Sequence, residues 1–453
     1  MLITFLLNQF ESNLKNDALV WQDRAYSYGD LLDLIRSHQS SLANHNIRPG
    51  SIVSLEADFS PSSVAMLLAL IDNRNVIVPL TDSVKDKRDE FREIANVEYV
   101  VEIKANDDVS FQGTGHKVDH QLLQELQGRN HPGLILFSSG STGKSKAAVH
   151  DLVPLLEKFK VPRKSKRILT FLLFDHIGGF NTIMYSLSNG GCAITVSDRT
   201  PEHVCAAIEK YKAEILPTSP TFLNLLLLSE SYKDKDFSSL ELVTYGTEMM
   251  PESTLTRFRA AFPQVTMQQT YGLSEVGILR SKSESSDSLW VKIGGEGYET
   301  RIRDGMLEIK AKAAMMGYLN APSPFTEDGW FKTGDVVEVK GDFFRFLGRK
   351  SEIINIGGEK VYPAEVEGAL QEMDGVLDVA VAGEPHAIMG HIVTARVRLN
   401  SEETQKEFRV RMKKFLKDKL PAYKIPQKII LEDHSFHGGR FKKMRGQSAS
   451  GHN

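Results

Sequence analysis

Residues 134–137 are an uninterrupted apolar run, and the chain passes from them directly into Ser138-Ser-Gly-Ser-Thr-Gly-Lys-Ser-Lys146. A short apolar run of this kind reads as a buried strand. The residues after it cannot extend a packed strand. Gly140 and Gly143 admit backbone angles closed to other residues and let the main chain approach a ligand. Ser138, Ser139, Ser141 and Thr142 bring hydroxyl donors, and Lys144 and Lys146 bring positive charge. Oriented N–H groups and hydroxyls at the end of a strand solvate an oxyanion, so the stretch reads as a phosphate cradle.

The rest of the chain predicts the scaffold for such a cradle. Helical spacing over 28–35, a Pro49-Gly50 turn, a strand at 51–55, a helix at 62–71 and a strand at 75–79 alternate. That rhythm argues for a parallel sheet covered by helices. Strands are expected again at 167–174, 192–196, 215–217, 240–245 and 265–267, with a helix at 201–211. Residues 81–130 read as charged surface helix and loop, 281–288 as a polar loop, and 447–453 as a frayed tail. From 352 to 430 the alternation repeats in a smaller unit. There Phe408, Met412, Phe415 and Leu416 share one helical face, opposite a basic face that reads as solvated.

Length and composition limit the function. A chain of 453 residues with 41% hydrophobic and 25% charged residues has core enough for two or more domains. A net charge of −3 gives no field that would draw nucleic acid or a membrane surface. Cys192 and Cys205 build no disulfide framework and no metal-ligand pattern, which fits a reducing, cytoplasmic setting. Residues 1–7 are apolar without a basic region before them and read as a first helix or strand rather than a signal peptide. No run of apolar residues is long enough to span a membrane.

Several further clusters carry chemistry. Gly143-Lys144-Ser145 fits the end of a G-x-x-x-x-G-K-[ST] loop, but the leading Gly would fall at position 138, which is Ser. The whole of Ser138–Lys146 instead resembles the phosphate loop of the adenylate-forming superfamily, S-S-G-[ST]-T-G-x-[PS]-K. Acyl-CoA synthetases, luciferases and peptide-synthetase adenylation domains belong to it. Other stretches resemble the family's motifs in the family's order: Gly246-Thr-Glu248, Tyr271-Gly-Leu-Ser-Glu275, Met316-Gly-Tyr318, Trp330-Phe-Lys-Thr-Gly-Asp335, Phe346-Leu-Gly-Arg349 and Pro421-Ala-Tyr-Lys-Ile-Pro426. The resemblance spans about residues 20–445.

This resemblance implies an α/β fold: a large N-terminal domain of mixed parallel sheets and helices, 1–348, and a small mobile C-terminal α+β lid, 349–453. It implies ATP, Mg²⁺ and coenzyme A, with a carrier-protein phosphopantetheine as the alternative thiol. The implied partner is a small carboxylic acid; an acyl carrier protein is the alternative macromolecular one, and the chain is expected as monomer or homodimer. In the implied site His176 positions the acid's carboxylate, with Asp175 its neighbour. Gly246, Thr247 and Glu248 lie against adenine, on which Tyr271, followed by Gly272, stacks. Ser274 holds the α-phosphate and Glu275 the Mg²⁺. Asp335 takes the ribose hydroxyls, and Arg349 reaches ribose or phosphate. Gly357 and Gly358 line the pantetheine tunnel after a hinge near Ser351. Ungapped spacing gives Lys442 as the catalytic lysine, whereas the local pattern G-K-[IVF]-x-[RK] would put Arg440 there.

Overall fold

The computed structural model describes residues 2–139, 145–387, 389–434, 436–437 and 443–445. Two seven-stranded sheets carry the N-terminal part. In the first, the order is Thr266–Gln269, Leu242–Tyr245, Ile215–Thr218, Arg167–Thr170, Cys192–Thr195, Asp17–Trp21 and Arg24–Ser27. All neighbours in it are parallel except the last pair. In the second, Gly317–Tyr318, Ser145–Asp151, Gly133–Ser139, Val76–Leu80, Ile52–Glu56, Tyr99–Ile103 and Val109–Gly113 follow one another. Its centre is parallel and both of its flanks are antiparallel.

Helix Pro61–Asp72 explains how the sheets stack. Ser60 caps it through a reciprocal bond pair with Ser63, Pro61 opens it, and every residue from Pro61 to Ile71 is buried. A helix apolar on all sides must be covered on all sides. One core cluster accordingly joins it to both sheets and to helices Tyr28–Asn44 and Ile177–Ser188.

Next comes a six-stranded antiparallel sheet, Arg280–Ser283, Val291–Gly294, Phe343–Arg349, Phe331–Lys340, Met306–Ala311 and Tyr298–Arg303. Residues 354–429 then build their own core around strands Ile354–Ile356, Val376–His386 and Gly390–Leu399. Helix Gln405–Leu416 buries Phe408, Met412 and Leu416 there and leaves Arg409, Lys413 and Lys414 exposed. Phe415 is only half-buried.

Three sequence expectations need correction. Residues 81–130 are not only surface helix and loop: strands Tyr99–Ile103 and Val109–Gly113 extend the second sheet. Val109–Gly113 is the edge strand and fully buries none of its residues, while Tyr99–Ile103, between it and Ile52–Glu56, is a short run broken by Glu102. The expected loop 281–288 begins inside strand Arg280–Ser283, whose polar side chains lie on a sheet margin. The strand at 167–174 stops at Thr170. The segment 2–11 resolves to helix Thr4–Glu11, which buries Leu6 and Phe10.

Candidate active site

The glycine-rich stretch joins two strands. Gly133–Ser139 and Ser145–Asp151 pair antiparallel, with Ser138 opposite Lys146 and Ser139 opposite Ser145. Gly140, Ser141, Thr142, Gly143 and Lys144 lie outside the described residues, as do Lys442 and Arg440. The second strand's first residues are gripped by Asn320, which accepts from Ala147 N at 3.0 Å and donates to Ser145 O at 2.9 Å. Tyr318 sits opposite Ala148 in the same ladder. Lys146, two residues from Ala148 and on its face of the strand, holds Nζ 5.3 Å from the centre of the Tyr318 ring.

Tyr318 links this strand to the next motif. Its hydroxyl donates to Glu275 Oε1 at 2.6 Å. Burial, and then the Glu275 charge, pushes its pKa well up, so the phenol stays a donor. Glu275 and Ser274 occupy the turn between Gly272–Leu273 and Gly277–Ile278, which pair as a small hairpin. Met315 N donates to Glu275 O and Met316 N to Val149 O, each at 2.7 Å, tying hairpin and sheet together. His150 fastens the same turn through Nε2 on Ser274 O, at 2.5 Å. The imidazole is fully buried, and desolvation pulls its pKa down to about 4. A neutral ring that donates Nε2–H follows.

Asp335 and Arg349 are register partners on neighbouring strands, with Nε and Oδ1 3.4 Å apart. Tyr271 donates its hydroxyl to the other Asp335 oxygen at 2.6 Å and stacks on Phe346 at 4.5 Å between ring centres. Thr333 Oγ1 accepts from Asp335 N at 3.0 Å. Burial would lower the pKa of Arg349, but Asp335, Tyr271, Glu352 and Glu275 outweigh it and leave the guanidinium raised. Thus Lys146, Tyr271, Ser274, Glu275, Tyr318, Asp335 and Arg349 gather from four stretches of the chain, at 146, 271–275, 318 and 335–349.

The other expected residues stand on elements around this group. His176 caps helix Ile177–Ser188, its Nδ1 accepting from Gly178 N at 3.0 Å. Gly179 is fixed by packing, since a Cβ there would lie 1.9 Å from Leu173 O. Asp175 is buried and accepts from Thr81 Oγ1 at 3.0 Å. Gly246 ends strand Leu242–Tyr245; Thr247 is exposed, with φ of 70°. Glu248 accepts from Thr221 N at 2.7 Å and from Lys443 N at 3.1 Å, so the C-terminal segment reaches this turn. Gly357 and Gly358, with φ of 55° and 96°, make the two-residue turn of hairpin 354–361. Phe180 and Tyr245 belong to the core.

Sequence reasoning overlooked several residues. Asn320, His150 and Thr333 act on main-chain atoms, two of them more than a hundred positions away, and carry no local signature. Lys158 escaped for the same reason. Its Nζ donates to Asn181 Oδ1 at 2.6 Å and to Ile278 O at 3.1 Å, and burial lowers its pKa to about 8.

Residues 7–305 match the AMP-binding enzyme family, and residues 365–434 match its C-terminal domain. The chain belongs to the AMP-binding enzymes. This AMP-binding enzyme is 27% identical to an indoleacetate–CoA ligase of Aromatoleum aromaticum over 68% of its own length and 64% of the relative's. It is 24% identical to a long-chain-fatty-acid–CoA ligase of Bacillus subtilis, over 87% of its length and 75% of that protein. The match therefore spans just under two thirds of the indoleacetate relative.

Among solved structures, an anthranilate CoA ligase, AuaEII, in complex with anthranoyl-AMP superposes with a TM-score of 0.77 at 19% identity, covering 96% of this chain and 93% of that one. The o-succinylbenzoate CoA synthetase from Bacillus subtilis, in complex with its acyl-adenylate intermediate, gives 0.77 at 20%, covering 99% and 98%. At such identities the likeness establishes the fold: α/β, with large N-terminal sheets and a small C-terminal domain. No helix among the described residues is long and apolar enough to cross a membrane.

Proposed function

We propose that this enzyme activates a carboxylic acid by adenylation and passes the acyl group to the thiol of coenzyme A. The observation that carries the reading is the gathering of Lys146, Tyr271, Glu275, Tyr318, Asp335 and Arg349, two carboxylates among cations and hydroxyls. The acid's carboxylate is already an ionised nucleophile and needs no general base. It attacks the α-phosphorus of ATP, and pyrophosphate leaves with the electrons of the broken P–O bond. Catalysis of this kind rests on positioning and on charges set in place beforehand.

The residues divide the work. Lys146 and the stretch 138–146 take up phosphate charge, Ser274 holds the α-phosphate, and His176 orients the acid. Asp335 meets Tyr271 through one oxygen and Arg349 through the other, and a carboxylate has lone pairs enough for ribose hydroxyls as well. Tyr271 and the turn Gly246-Thr247-Glu248 border the adenine. Glu275 offers one carboxylate, held by the Tyr318 hydroxyl. That fits Mg²⁺, which takes one or two carboxylates and completes its shell with phosphate and water. When bound, the ion would neutralise phosphate charge.

The thiol then attacks the acyl carbon and AMP departs. We assign 1–348 to adenylation and 349–453 to a lid that turns near Ser351, carries Lys442 and brings Gly357-Gly358 to the pantetheine. The contact of Lys443 N with Glu248 supports a lid that reaches the nucleotide side. Several relatives are named CoA ligases, which favours coenzyme A over a carrier protein. Their named acids differ, so none is carried over.

Acid-dependent ATP–pyrophosphate exchange across aliphatic, aryl and amino acids tests the reading, with AMP rather than ADP as product. Mass spectrometry with coenzyme A or a holo carrier protein identifies the acceptor. Formation of ADP, or exchange that no acid stimulates, removes the proposal.

A further inference from the structure

Lys158 is a cation that the adenylation chemistry leaves unused. It stands on the short turn Glu157–Lys160, and both of its acceptors, the Asn181 amide and the Ile278 carbonyl, are neutral. No carboxylate pairs with it among the described residues, and Arg163 is a like-charged neighbour. An ammonium has three N–H donors; two are used here, and among the described residues the group otherwise faces only the Phe159 ring, 5.0 Å from its centre, which carries no formal charge. With its pKa near 8 the group is still protonated at neutral pH. A largely desolvated cation without a counter-charge is a standing cost, which evolution removes cheaply by exchanging Lys for Met or Leu.

A second unsatisfied donor lies close by. The Tyr298 hydroxyl is buried and has no hydrogen-bond partner among the described residues. A Cβ built on Gly277 would stand 3.7 Å from it. Lys158 reaches Ile278 O, so both donors lie against the Gly277–Ile278 step. Their placement is what gives them meaning. Asn181 is on the helix that His176 caps, and Gly277–Ile278 is the second arm of the hairpin that carries Ser274 and Glu275. Lys158 thus bridges the helix whose cap is assigned to the acid and the hairpin whose turn is assigned to the α-phosphate and Mg²⁺, with Tyr298 against that hairpin.

We propose that Lys158, with Tyr298, receives a second carboxylate at the far end of the acid, so that the substrate class is dicarboxylic acids. The inference rests on the acid-activating reading above. A monocarboxylic acid would leave both donors without an anionic partner. A dicarboxylic acid would supply the missing charge and accept the spare N–H and O–H. A merely structural lysine, clamping helix to hairpin, would show no such selectivity.

The test compares kcat/KM in pyrophosphate exchange for linear and aryl monocarboxylic acids with that for dicarboxylic acids differing by one added carboxyl group. Wild-type enzyme should favour the dicarboxylic member. Lys158→Met should reduce that preference about tenfold or more, Lys158→Arg should restore part of it, and Tyr298→Phe should weaken it less. A structural role would lower both members together and leave the ratio intact, which overturns the inference. Should Lys158→Met fail to fold, the wild-type ratio and Tyr298→Phe decide in the same way. Wild-type exchange that favours monocarboxylic acids overturns this inference alone; exchange with no acid overturns the acid-activating reading with it.

Discussion

Tyr318 holds the Glu275 carboxylate while Lys146 lies over its ring, so a single tyrosine connects the lysine to the acid. Tyr318→Phe keeps the ring and removes the donor. A hydrogen bond to a charged group is worth about 1.5–3 kcal/mol, so exchange should fall about tenfold or more, with little change in the unfolding midpoint. Steady-state exchange and a thermal melt check both halves. His150 tests the same turn through pH. Its folded pKa is about 4 against an ordinary 6.5, so the group is neutral in both states well above 6.5. As pH falls from 6.5 towards 4 the unfolded chain gains the proton first, and stability drops by about 3 kcal/mol from this group. His150→Gln keeps a donor for Ser274 O and removes the titration, so its denaturation midpoint should vary less across that window; parallel profiles would dismiss the assignment. At this scale the sequence was legible where function is written contiguously. Glu275, Asp335 and Arg349 each sit in a run of motif residues. Lys158, His150 and Asn320 are single positions with partners far along the chain, and nothing local marks them.

Strands and helices were legible where burial imposes a period or an apolar run, as at 51–55 and 75–79. They were illegible at sheet margins, where Val109–Gly113 and Arg280–Ser283 bury too little to leave a pattern. The hairpin of Gly133–Ser139 with Ser145–Asp151 was only half visible, because Ala147 and Ala148 look as much like helix as strand. The C-terminal strap 443–445 shows a contact no pattern predicts. Glu367 is buried and accepts two bonds from Arg445, at 2.8 and 2.7 Å, while Lys443 Nζ lies 3.9 Å away. Burial raises the Glu367 pKa, but Lys443 and Arg445 outweigh it and leave the acid below its usual value. Arg445 also bonds Glu352 at 2.7 Å, so the strap is pinned to the start of the small unit. Arg445→Met strands a buried carboxylate, and breaking such a pair costs about 3–5 kcal/mol. Chemical denaturation followed by hydrogen exchange should find that loss in 354–429, with the strap's amides deprotected and the first two sheets unchanged. Equal loss everywhere would mean that the small unit has no separate stability.

The whole molecule has several cores, and the one built from 354–429 is small and draws on no residue before Ile354. Its contacts with the rest include Ser253 with Gly368 and helix Pro363–Gln371 against helix Glu252–Ala261, and Lys443 beyond it bonds Glu248. A protein with such unequal cores need not unfold in one step. Calorimetry of the ligand-free enzyme should therefore give two transitions, the smaller one first. A stable acyl-sulfamoyl adenosine bound between the units would add RT ln(1 + [L]/Kd) to whatever it touches, about 2.7 kcal/mol at a hundredfold excess over Kd. If the nucleotide site spans both units, the lower transition should rise towards the upper and merge with it. If the site lies wholly in the sheets, the upper transition alone should move. Asp335→Asn separates this effect from nonspecific stabilisation, because it removes charge at the position we assign to the ribose and leaves the Glu248–Lys443 contact intact. The analogue should then shift neither transition at the same concentration. An undiminished shift would place the nucleotide elsewhere and take the adenylation reading with it.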